Sequence, residues 1–191
     1  AARAYADRGQ TIPFLPTLQE WRAYLNFNAD RPQAAFILAE NAIDRGEPEL
    51  ARTFVENAVS MASRDAGTLR GAAVVMSMLG DRSAAEGYLR QGLEFSPDNS
   101  GLLYSLALLR AEAGDYPETI RLLQRTVEAE PDFYRAWYNL ALAHMHLEQW
   151  AQANDALLRA RPAMGNSPAW RQAYGQVQAR LRESGAPLSG R

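Results

Sequence analysis

The chain contains no cysteine and no lysine. Without cysteine it can form no disulfide, perform no thiol chemistry and attach no haem through a C-x-x-C-H sequence. Without lysine it has no Schiff-base chemistry and no lysine-built phosphate site; all 20 basic residues are Arg. No apolar run approaches 18 residues, so no helix is expected to insert directly into a membrane. A net charge of −2 argues against a general nucleic-acid binder or a polybasic membrane binder. The two histidines, His144 and His146, point about 200° apart on a helix and cannot share a metal. No H-E-x-x-H, G-x-S-x-G, Walker loop or G-x-G-x-x-G is present. The expectation is a non-catalytic chain with no metal and no cofactor.

What the chain does have is a core-forming composition and a repeat. Apolar residues make up 47% and charged residues 22% of its 191 positions, enough to bury a core. "GDRSAAEGYLRQGLEFSPD" begins at Gly80, and "GDYPETIRLLQRTVEAEPD" begins 34 residues later at Gly114. At that interval Gly46, Gly80 and Gly114 align, with Glu148 in the next slot. Ala39, Ala73, Ala107 and Ala141 align without exception, as do Val55, Leu89, Leu123 and Leu157. The closing slot holds Ser63, Pro97, Pro131 and Gly165. A period of this length marks stacked supersecondary units that cannot bury their apolar faces alone. Four units run without a gap: 32–65, 66–99, 100–133 and 134–165.

Each unit reads as two helices. In the third, Leu103, Leu106, Ala107 and Arg110 step at helical spacing. Gly114-Asp115 then breaks the helix, since Gly suits a C-terminal cap and Asp an N-cap. Asp115 with Glu118, and Ser83 with Glu86, have capping-box spacing. Small residues at Ala107 and Thr119 let paired backbones approach, while Leu106 and Leu123 fill the space beside them.

These residues carry a resemblance to the tetratricopeptide repeat (TPR): large apolar at the fourth position, Leu at the seventh, Ala at the eighth, Gly at the fifteenth, Ala at the twentieth and Pro near the end. The resemblance covers about residues 32–165, and the first unit departs most, with Ala35 in the large apolar slot and Ser63 in the proline slot. It implies an all-α, right-handed superhelical solenoid whose first helices line a concave groove. Carried onto this sequence, the groove positions give Phe36, Arg70, Tyr104 and Tyr138; Glu40, Val74, Leu108 and Leu142; Met78, Glu112 and His146; Arg135 and Asn139; Ala111 and Met145. The surface is largely apolar and aromatic. The lysine-dependent clamp with which some members hold a C-terminal carboxylate does not fit, because Glu40 occupies an Asn slot and there is no lysine. The implied function is a protein-interaction scaffold presenting this groove to a protein or peptide segment, with Phe36, Tyr104, Tyr138, Leu142 and Met145 as anchors.

The ends invite a second reading. Residues 1–16 are an extended arm in which Ile12, Phe14 and Leu15 lie between prolines. Residues 17–31 carry a further helix, opened by Thr17 and Glu20 at capping-box spacing. Residues 166–183 are a capping helix with Ala169, Trp170, Ala173, Tyr174, Val177 and Leu181 inside and Arg171, Gln172, Arg180 and Arg182 outside, and 184–191 are a tail. The arm and end helices could instead join copies of the chain into an oligomer or filament. Residues 20–40 also resemble the lead-in of TPR arrays attached to bacterial multihaem cytochromes. That resemblance implies export to the periplasm or cell exterior and a separate electron-transfer module.

Overall fold

A computed structural model describes residues 32–184; the extended arm, the helix expected over 17–31 and most of the 20–40 lead-in lie outside the described residues. The described residues are all-helical and contain no strand. The helices are α1 (Pro32–Asp44), α2 (Pro48–Met61), α3 (Ala66–Met78), α4 (Arg82–Phe95), α5 (Ser100–Glu112), α6 (Tyr116–Ala129), α7 (Tyr134–His146), α8 (Trp150–Met164) and α9 (Pro168–Glu183). They are paired as four hairpins with α9 after them, a TPR-like solenoid fold. The chain divides into two compact units, Ala1–Tyr88 and Leu89–Arg191.

In the first unit α1 packs on α2 and α3, and α2 packs on α3. Small residues make the approach possible: Ala35, Ala39, Ala42, Ala51 and Ala58 are all fully buried. Leu38, Val55 and Leu69 fill the remaining volume with no solvent exposure. Each such aliphatic side chain stabilises the fold by about 1.5–3 kcal/mol through removal from water. In the second unit α5 packs on α6, α6 on α7, α7 on α8, and α9 on α8 and α7. Its core repeats the pattern with Leu103, Ala107, Leu123, Ala141, Ala153 and Leu157. Gly92 of α4 lies so close to α5 that a Cβ there would meet Leu102 Cδ1 at 2.7 Å.

Every hairpin turns the same way. The N–H of Gly46 reaches the Ile43 carbonyl at 2.9 Å and that of Glu47 reaches Ala42 at 2.8 Å. Gly80 and Asp81, Gly114 and Asp115, and Glu148 and Gln149 repeat both bonds one period on. This paired pattern satisfies the orphan carbonyls at a helix end and needs one residue in the left-handed region. Gly46, Gly80 and Gly114 occupy it at φ +74°, +76° and +77°, and Glu148 at +56°.

The residue after each turn starts the second helix. Asp81 accepts the Ala84 N–H at 3.0 Å, and Asp115 accepts that of Glu118 at 3.3 Å. The N-cap of α4 is thus Asp81, and Ser83 lies inside the helix rather than capping it. The box at Asp115 is half formed. The Glu118 carboxylate turns forward to Arg121, at 2.7 Å to both Nε and Nη2, instead of back to the cap. Arginine's paired donors outcompete a single backbone N–H for that carboxylate. In the fourth hairpin Gln149 makes no side-chain cap; its Oε1 lies 2.6 Å from His144 Nδ1. In α9, Trp170, Ala173, Val177 and Leu181 are buried as expected from their spacing, but Ala169 is exposed. Ala169 sits in the first turn of α9.

Candidate functional site

The inner-face residues read from the sequence fall into two sets, one in each unit. In the first unit Phe36 and Glu40 are one turn apart on α1, and Arg70, Val74 and Met78 are successive turns of α3. The Phe36 ring lies close against α3 at Gly71. A Cβ at Gly71 would meet its ring atoms at 2.6, 2.8 and 3.0 Å. Glu40 and Arg70 are exposed, and so are the aliphatic side chains of Val74 (45%) and Met78 (50%). Ile37, at 45%, extends the same apolar strip.

In the second unit the face is polar-linked and hollow. Tyr104 of α5 is half-buried, and its hydroxyl accepts a hydrogen bond from Asn139 Nδ2 of α7 at 2.8 Å. Its ring packs against Phe133 with centroids 4.7 Å apart. Burial pushes the Tyr104 phenol pKa up, partly offset by Arg135 and the Asn139 bond. Two residues chosen as partner contacts therefore also bond to one another. Tyr138, Leu142 and Met145 are half-buried on α7, and Arg135 is exposed.

Beside this pair lies a cavity of about 270 Å³, lined by residues of α5, α6 and α7. Leu108 and Ala111 of α5 and Asn139, Leu142 and Ala143 of α7 form much of its wall. Glu112, Thr119, Tyr116 and His146 complete it. Tyr116 and His146 are stacked, with centroids 4.2 Å apart and planes 7° apart. Sequence reasoning places Leu108, Ala111, Glu112, Asn139, Leu142 and His146 on this face and misses Tyr116. That residue opens a second helix, whereas repeat position assigns the face to first helices alone. The available signal is an aromatic directly after the Gly114-Asp115 turn.

An engineered cavity of about 150 Å³ accepts benzene, so this one has room for a large apolar side chain. Among the described residues no cluster of three or more His, Asp or Glu side chains could hold a metal, and no helix is long and apolar enough to cross a membrane.

Helical hairpins recurring every 34 residues, each joined through the same left-handed turn, define a helical-repeat architecture. The tetratricopeptide-repeat family model matches residues 110–177. Among solved structures, PilF of Pseudomonas aeruginosa superposes with a TM-score of 0.69 at 21% identity, over 82% of this chain and 72% of that one. MamA (41-end) from Desulfovibrio magneticus RS-1 gives 0.67 at 21% identity, over 81% and 87%. YrrB, described as a TPR protein with an unusual peptide-binding site, gives 0.61 at 16% identity, over 80% and 78%. These likenesses are of fold. A search of curated protein sequences returns no significant match.

Proposed function

We propose that the chain is a non-catalytic interaction scaffold whose second unit holds a segment of a protein partner across α5 and α7, with one large apolar side chain seated in the cavity. The observation that carries this reading is the cavity itself, open on the inner face and walled by Leu108, Leu142 and the Tyr116–His146 stack. Aromatic and aliphatic anchors in desolvated pockets supply most of the energy of such contacts. The half-buried Tyr138 and Met145 flank the seat on α7 and extend the contact. In the first unit the strip of Ile37, Val74 and Met78 adds apolar area.

Peptides selected from a random display library against the whole chain test this reading. They should share a Leu, Met or aromatic anchor. Leu142→Arg should weaken their binding at least tenfold while helicity by circular dichroism is unchanged. Selected peptides that bind Leu142→Arg as tightly as the native chain would sink the proposal. Light scattering of the unliganded chain separates this reading from assembly through Ile12, Phe14 and Leu15, which requires mass to grow with concentration.

A further inference from the structure

The last hairpin and α9 carry a charge imbalance found nowhere else in the chain. From Arg159 to Arg182 the sequence has five arginines and no acidic residue, in a chain whose net charge is −2. Two of the five, Arg161 in the last turn of α8 and Arg171 near the start of α9, line one cleft of about 460 Å³. Gly165, Asn166, Trp170 and Tyr174 form the rest of it. Arg52, Arg121, Arg125 and Arg180 each have a carboxylate within 3.1 Å. Arg161 and Arg171 have no such partner among the described residues.

Arg161 and Arg171 are both exposed at the border of this cleft. Trp170 is fixed by its indole N–H, which donates to the Leu157 carbonyl at 2.9 Å, and it stacks on Tyr174 with centroids 4.8 Å apart. Gly165 lets the Arg161 stem pass, since a Cβ there would stand 3.0 Å from Arg161 Cγ and 2.8 Å from its carbonyl oxygen. The start of α9 adds the partial positive charge of a helix N-terminus. The half-buried Tyr174 ring with two exposed arginines at the same cleft suits an anion attached to an organic body. The volume exceeds what a small inorganic ion would fill.

We propose that this cleft binds acidic peptide segments, with Arg161 and Arg171 each pairing with a carboxylate of neighbouring Asp or Glu side chains. Guanidinium matches the planar carboxylate through two parallel hydrogen bonds. The Asn166 amide and the Tyr174 ring, held in place by the buried Trp170, face the peptide backbone. The site is separate from the cavity between α5 and α7, so the two can be tested independently.

Titration of the whole chain with end-capped hexaglutamate, by calorimetry at low ionic strength, tests the assignment. The expected result is one-to-one binding, no binding of hexaglutamine, and a shift of the Trp170 indole N–H resonance. Arg161→Gln with Arg171→Gln should lower affinity at least tenfold. Arg182→Gln, at the far end of the same helix, should change it less than twofold. Absence of hexaglutamate binding would overturn the proposal. So would equal losses in the Arg182→Gln variant, which indicate diffuse attraction, or binding confined to a phosphoserine peptide. Unchanged binding of the cavity-selected peptides to the double variant keeps this site distinct from the first.

Discussion

Phe36 meets Gly71 in the first unit, and Tyr104 meets Asn139 in the second. Each pair joins the fifth position of one repeat to the sixth of the next, 35 residues on. The backbone register is shared and the chemistry is not. A phenyl ring needs only room, and Gly71 supplies it by having no side chain. A half-buried phenol must keep its hydroxyl satisfied, and the Asn139 amide does that. A repeat therefore fixes where two helices touch, while each pair of residues finds its own way to complete the contact. The difference reaches the surface. Next to the glycine seat the side chains of Val74 and Met78 stand exposed, whereas next to the Tyr104–Asn139 bond the wall lines an open cavity.

Exchanging the two solutions breaks the comparison most directly. Gly71→Asn forces a side chain into the Phe36 ring and should destabilise by about 1–3 kcal/mol, the usual range for overpacking. Asn139→Gly loses a hydrogen bond of about 1 kcal/mol. It also places glycine inside a helix, for about 0.5–1 kcal/mol more. Urea unfolding at neutral pH measures both. A neutral Gly71→Asn would mean that the Phe36 ring swings away freely and that the seat is incidental. Tyr104→Phe, which keeps the ring against Phe133 and removes only the hydroxyl, should lose about 0.5–1.5 kcal/mol. No change there would make the Asn139 bond dispensable.

The turns give a second contrast of the same kind. Gly46, Gly80 and Gly114 adopt positive φ, and a Cβ at any of them would meet nothing within 4 Å, so their identity is dictated by backbone alone. Glu148 adopts the same conformation with a side chain, which costs roughly 1–2 kcal/mol. Glu148→Gly should therefore raise stability by about 0.5–1 kcal/mol after allowing for the greater freedom of glycine in the unfolded chain. Gly114→Ala should do the reverse. Equal thermal midpoints for Glu148→Gly and the native chain would show that this turn relaxes its strain elsewhere.

The features legible in the sequence are those that recur. The glycines of the first three turns, set by backbone conformation, and the aligned Ala39, Ala73, Ala107 and Ala141, which are all buried, repeat at the period and announce the fold. The site is legible only where it shares that logic. Leu108, Asn139 and Leu142 follow from repeat position. Tyr116 does not, because it reaches the inner face from the start of a second helix. Gly71 leaves no apolar signal for the ring it seats. The cleft of Arg161 and Arg171 depends on which arginines meet a carboxylate, and that is a property of packing rather than of pattern.

The smallest effect separates the Gly-Asp turns from the Glu148-Gln149 turn by pH. The Ala84 N–H, and after it the Arg52 guanidinium, hold the Asp81 carboxyl below the usual carboxylate range. A carboxyl lowered in the folded state adds stability that is fully present above its unfolded pKa of about 3.9 and is lost as pH falls through the folded value. Acidification toward pH 3 should therefore loosen the first turn of α4. The first turn of α8 begins at Gln149, which has no titrating cap, and should respond less. Amide hydrogen exchange of Ala85 and of Ala153, which donate to the Asp81 and Gln149 carbonyls at 3.0 Å, reports the two turns in one experiment. Protection at Ala85 should decline more steeply with acid, and Asp81→Asn should abolish the excess. Parallel declines at both amides would show that the Asp81 cap and its ion pair with Arg52, at 2.8 Å, add no pH-dependent stability to that turn.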